Sequence, residues 1–249
     1  MRFLRGHTFP WLTGLLIVCA VSIAQSDLLA AAPQQSSEEL SKPLYNPPKK
    51  LAPRARVGGD VRGTDDTDPE VILLVPDHVG YTMQQTPAVN WFLSKTTGYQ
   101  VRFTLRDDRS QRWFKEITIP TPQHPGIHTI NLKEFGLVLE PNVQYRLYVS
   151  VIRDPQSPSK DIVTGGMIER CELSECVEPM GAKLTCSLDT VNENAKAGFW
   201  YDAMGCLCSL IDADPKNEKL RRVRARLLKD VGLNGVADWE LRALQASTR

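Results

Sequence analysis

The chain has 249 residues, with 30 Lys and Arg against 29 Asp and Glu, and a formal net charge of +1. That balance excludes bulk attraction to nucleic acid, and the 42% hydrophobic content is enough for a core. There is no P-loop, dinucleotide-type glycine fingerprint or histidine-rich tract, so no cofactor is expected.

Residues 1–24 have the layout of a secretory signal peptide. Arg2 and Arg5 precede an apolar run from Trp11 to Ala24, and Ser22-Ile23-Ala24 offers small residues before a cut. The run is shorter than the roughly 20 residues a spanning helix needs. The chain is therefore expected to be exported, to a periplasm or cell envelope. If the segment were retained it would be a membrane tether instead. Residues 25–69 are rich in Gln, Ser, Lys and Pro and read as a disordered linker. Asp65, Asp66 and Asp68 near its end lack the spacing of a calcium loop and read as a solvated turn.

Residues 70–170 alternate at period two. Val71 to Val75 is a buried strand candidate. Val89, Trp91 and Leu93 alternate with Asn90 and Ser94; Tyr99, Val101, Phe103 and Leu105 alternate with polar residues. Further strands are predicted over Trp113 to Ile119, Ile127 to Leu132, Tyr145 to Val151 and Ile162 to Ile168. Seven short strands separated by turns predict a β-sandwich, so the expected class is mainly β with α. Trp91 followed by the Tyr99–Phe103 strand, and Leu139-Glu140-Pro141 leading into Tyr145, resemble an immunoglobulin or fibronectin type III domain. That resemblance implies a tyrosine corner, with the Tyr145 hydroxyl bonded back to its own turn.

Residues 171–188 are a cysteine-containing connector, and 189–249 read as a helical subdomain. Thr190 to Glu193 fits a capping box. Trp200, Ala203, Met204, Leu207, Leu210 and Ile211 recur at helical spacing. Asp214-Pro215 is expected to start the next helix, with Leu220, Val223, Leu227, Leu228 and Val231 as its stripe and Gly232 as its stop. A shorter helix is predicted from Val236 to Leu244. Gly198 to Pro215 fits half a tetratricopeptide repeat, but one half-repeat is no solenoid, so an ordinary helical hairpin is expected.

Several segments resemble the bacterial family catalogued as domain of unknown function 928. They are Pro47-Pro48 and Pro53-Arg54, Val75-Pro76, Thr86-Pro87 into Trp91-Phe92, and Pro125-Gly126-Ile127. Tyr145 to Tyr148, Gly165 to Arg170 and Gly198 to Ala203 fit as well. The resemblance runs from about Tyr45 to Leu244. It implies an exported protein of a Gram-negative bacterium, and it brings no catalytic residues with it.

Five cysteines follow the signal: Cys171, Cys176, Cys186, Cys206 and Cys208. In an exported chain disulfides are expected among them, and an odd count leaves a thiol over. Cys206 and Cys208 point to nearly opposite sides of a helix, so one of them is expected to pair with Cys186 or Cys176. Zinc is disfavoured because paired short-gap motifs are missing. Arg221, Arg222, Arg224 and Arg226 crowd one helix. They read as a solvated face, with a surface for an anionic membrane or acidic partner as the sharper alternative. His78, His124 and His128 carry no visible nucleophile. Pro125-Gly126 excludes the helix that would bring His124 and His128 together.

These features favour a non-enzymatic envelope binding or protein-interaction module with an unknown envelope protein or ligand as partner. The alternative is an envelope hydrolase assembled from distant residues such as His78, His128 and Asp202.

Overall fold

The computed structural model describes residues 44–48, 55–58, 68–109, 114–172 and 185–247. The signal segment, Asp65, Asp66 and Cys176 lie outside the described residues. Eight strands are present: β1 (Val71–Leu73), β2 (Gly80–Thr82), β3 (Ala88–Leu93), β4 (Gln100–Asp107), β5 (Phe114–Ile119), β6 (Gly126–Asn131), β7 (Gln144–Ile152) and β8 (Ile162–Arg170). Among the described residues four α-helices follow: α1 (Leu188–Ala197), α2 (Trp200–Ala213), α3 (Glu218–Asp230) and α4 (Asn234–Ser247). Strands and helices contribute similar numbers of residues, so the chain is mixed α and β rather than mainly β.

The strands form two sheets, a three-stranded one in the order β1-β3-β6 and a five-stranded one in the order β2-β8-β7-β4-β5. Every pairing is antiparallel except β2 with β8. Period two points Val101, Phe103 and Leu105 of β4, with Leu147, Val149 and Val151 of β7, to the buried side. Arg102 and Arg146 fall on the other face, paired with Glu116 at 2.8 Å and with Asp108 respectively. β3 is buried on both faces. Val89, Trp91 and Leu93 fill one side, while Asn90 and Phe92 on the other are each only 2% exposed. The helices cover that second face: Phe92 meets Trp239 edge-on at 5.2 Å.

The corner expected at Tyr145 is present, since the Glu140 amide donates to the Tyr145 hydroxyl at 3.2 Å. The helix starts differ from those predicted. α1 is capped by Ser187, whose hydroxyl accepts from the Thr190 amide at 3.1 Å, so Thr190 sits inside the helix. Asn217, not Asp214, caps α3, accepting from the Leu220 amide at 3.3 Å. The single helical stripe expected after Thr190 is broken at Gly198. Its φ of 87° ends α1 in the left-handed region that glycine adopts without strain.

Helices and sheets share one core. Trp200 Nε1 donates to the Leu74 carbonyl at 2.8 Å and the Tyr201 hydroxyl to the Met167 carbonyl at 2.9 Å. Both side chains are buried in the same apolar cluster as Trp91 and Phe103. Among the described residues no helix is long and apolar enough to cross a membrane.

Candidate functional site

Within the stretch read as a linker, two described pieces are seated on the fold, Leu44–Pro48 and Ala55–Gly58. The amides of Leu44 and Tyr45 both donate to Asp230 Oδ2, at 2.6 and 3.0 Å. The Asn46 amide donates to the Ala195 carbonyl at 3.0 Å. Tyr45 is 3% exposed, its hydroxyl 3.1 Å from His78 Nε2 and its ring edge-on to Trp200 at 5.1 Å. Farther along, Val57 and Gly165 exchange backbone hydrogen bonds of 2.9 and 2.7 Å. These pieces act as a strap, held by one aromatic anchor and a few backbone bonds. Composition averaged over the stretch hides such sparse anchors.

Between them the strap, the first sheet and the last two helices leave an open cleft of about 460 Å³. The strap supplies Arg56 and Gly58, β1 and its lead-in supply Glu70 and Ile72, and the α3–α4 turn supplies Gly232 to Val236. Its volume is in the range of small-ligand sites. Arg56 is fixed by two hydrogen bonds from Nη1, to the Val75 carbonyl at 3.2 Å and the Val231 carbonyl at 3.1 Å. Its remaining N–H groups form a preset donor fork beside the cleft. Gly232, at φ 75°, turns the chain out of α3 there. The first i to i−4 bond of α4 runs from the Ala237 amide to the Leu233 carbonyl at 3.1 Å. The amides of Asn234, Gly235 and Val236 come before it, at the rim of the cleft. The wall is thus polar on two sides and apolar at Ile72 and Val236. Sequence reasoning missed Arg56 because its neighbours in space are 19 and 175 positions away.

The residues singled out from the sequence lie elsewhere and apart. Cys186, Cys206 and Cys208 are free thiols, so the bridge expected from α2 to Cys186 is not closed. Cys171 is buried at the end of β8. Cys206 does neighbour Cys186: burial and the Cys186 thiol push its own thiol up to about 12. Cys208 points the other way, its Sγ 3.6 Å from Arg224 Nη1.

Of the four arginines, Arg224 is buried and Arg221 half-buried, and both donate to Glu240 Oε1, at 2.7 and 2.8 Å. Those two guanidiniums serve the α3–α4 contact rather than an outer face. Arg222 is exposed and pairs with Glu218 at 3.1 Å, and Arg226 is half-buried. Asp68 pairs with Arg153 at 2.9 Å.

His78, His128 and Asp202 have separate partners. His78 meets Tyr45, and burial lowers its basicity. His128 stands across from Trp91, and its Nε2 is 3.1 Å from the His124 carbonyl. The His124 and His128 rings are 5.2 Å apart, brought together by the turn into β6 although no helix joins them. Asp202 is 3% exposed and accepts from the Met83 amide at 2.9 Å; burial raises its carboxyl above the usual range, opposed by that bond. Among the described residues no group of three or more His, Cys, Asp or Glu could hold a metal ion.

Compared with known proteins, residues 57–241 match one family model, described as Domain of Unknown Function (DUF928). No curated protein matches. The matched span includes both sheets, Gly58, Glu70 and the α3–α4 turn. It begins one residue after Arg56 and leaves the Tyr45 anchor outside.

Proposed function

Since the chain belongs to the DUF928 family, which is defined without an activity, we propose that it is an exported, non-enzymatic binding or protein-interaction module of a Gram-negative cell envelope. The observation that carries the reading is the cleft at Arg56. Three segments far apart in sequence build it, and it has a donor fork on a residue already locked by two carbonyls. Such preorganisation favours binding, because little side-chain freedom is lost when a ligand arrives. A small polar ligand, or an extended segment of an envelope protein presenting acceptor groups, suits the mixed wall. The charged segment before the Trp11 run supports export. The strand orders β1-β3-β6 and β2-β8-β7-β4-β5, with the Tyr145 corner, support reading the sheets as an immunoglobulin or fibronectin-like sandwich.

The test uses a variant that fills the cleft. Gly235 lines the cleft and a Cβ there meets nothing within 4 Å, so Gly235→Trp puts a bulky ring at the rim with room at its attachment point. Thermal-shift and crosslinking screens with envelope metabolites and peptides should yield ligands that stabilise the wild-type chain and not Gly235→Trp. Ligands that stabilise both chains equally would remove the cleft from the proposal. Turnover of ester, glycoside or peptide substrates would overturn the non-enzymatic reading.

A further inference from the structure

Cys186 and Cys206 carry an inference that does not depend on what fills the cleft. Cys186 is exposed and directly precedes Ser187, the cap of α1. Cys206 sits on α2, is 6% exposed, and has its Sγ 4.0 Å from the Ser187 carbonyl oxygen. The carbonyl that Cys206 Sγ approaches belongs to the residue directly after Cys186, and the Cys186 thiol acts with burial to push the Cys206 thiol up. Cys208 cannot compete, since it lies two residues on and is buried against Arg224.

We propose that Cys186 and Cys206 form a disulfide, closed by exchange with a small-molecule or protein disulfide, that staples the start of α1 to α2. The division of labour follows from exposure. Cys186 meets the oxidant first, and as thiolate it attacks one sulfur of the incoming disulfide and expels the other as a thiolate. Cys206 then gives up its proton to solvent and attacks the Cys186 sulfur of the mixed disulfide. The second thiolate leaves. The pair has lost two electrons and two protons, and the oxidant has become two thiols. Because burial pushes the Cys206 thiol up to about 12, the second step is the slow one near neutral pH and accelerates with rising pH.

The experiment uses the full chain after its signal, first reduced and then treated with glutathione disulfide at pH 8. A non-reduced peptide map should join the Cys186 peptide to the Cys206 peptide, and both of these cysteines should lose their free thiols. Closing a loop of this size should raise Tm by roughly 5–10 °C. Cys208→Ser should keep both effects and Cys186→Ser, at an exposed position, should lose both. A mixed disulfide that stops at Cys186, or a link from Cys186 to any other cysteine, would overturn the assignment. Failure of the ligand screen leaves this outcome untouched, because the chemistry is read on the purified chain.

Discussion

Glu240 shows how far a single side chain can redirect a sequence pattern. It is fully buried and its Oε1 accepts from both Arg221 and Arg224, while Oε2 and Arg224 Nε have no hydrogen-bond partner among the described residues. One carboxylate therefore holds two cations, and removing it strands buried charge. Glu240→Ala should cost about 3–5 kcal/mol in urea unfolding. Glu240→Gln should cost less, because its amide oxygen still accepts. Arg222→Ala, which breaks only the exposed pair with Glu218, should stay within about 0.5 kcal/mol. Equal losses for Arg222→Ala and Glu240→Ala would refute this ranking. The run of basic residues was plain in the sequence, but the inward turn of two of them was not. Their partner stands 16 and 19 positions away on another helix.

Elements with a long regular period were legible, and short or irregular ones were not. β4 shows the alternation read from Val101, Phe103 and Leu105, and β7 shares it, while β3 is buried on both faces. β2 has three residues and no period to find, and it is fixed by pairing with Ile168 to Arg170. Alternation also misjudged Asn90. It reads as a solvent position but is covered by helices and bonded to Thr129 Oγ1 at 2.8 Å. The strap failed for the opposite reason, since one aromatic in a proline-rich stretch leaves no pattern. Its seating predicts a strong effect from one substitution. Tyr45→Ala removes a buried ring and should cost about 3–5 kcal/mol by chemical denaturation. Tyr45→Phe keeps the ring against Trp200 and should cost about 1 kcal/mol. In Tyr45→Ala, limited proteolysis should cut the strap before the sheets. Simultaneous loss of strap and sheets would show that the strap is no separate element.

At the scale of the whole molecule, buried titratable groups set the pH response. His78 and His128 both have basicity lowered by burial, so the unfolded chain takes up protons that the folded one refuses. Their contribution is complete above an unfolded value of about 6.5 and is lost as pH falls through their lower folded values. Asp202 acts in the other sense: its raised carboxyl improves stability as pH falls toward the unfolded value, and this opposes the histidines at the acid end. The urea midpoint should therefore drop between pH 7.5 and pH 5, and His78→Asn should flatten part of that drop. A midpoint that holds steady in the wild-type chain would contradict the histidine account. Net charge, the tyrosine corner and the family were readable from sequence, because each depends on counts or on neighbours along the chain. The cleft was not, because its walls meet only after folding.

The two hydrogen bonds from Leu44 and Tyr45 to Asp230 span 186 and 185 positions. A chain made from its amino end produces the strap before the sheets and helices, yet the carboxylate that receives it comes only after them. Its two bonds to Asp230 can close only once the chain beyond the sheets has been made. Contacts of such sequence separation slow folding. The clasp joins distant parts of the chain, and any chain cut short before residue 230 lacks the carboxylate that catches Leu44 and Tyr45.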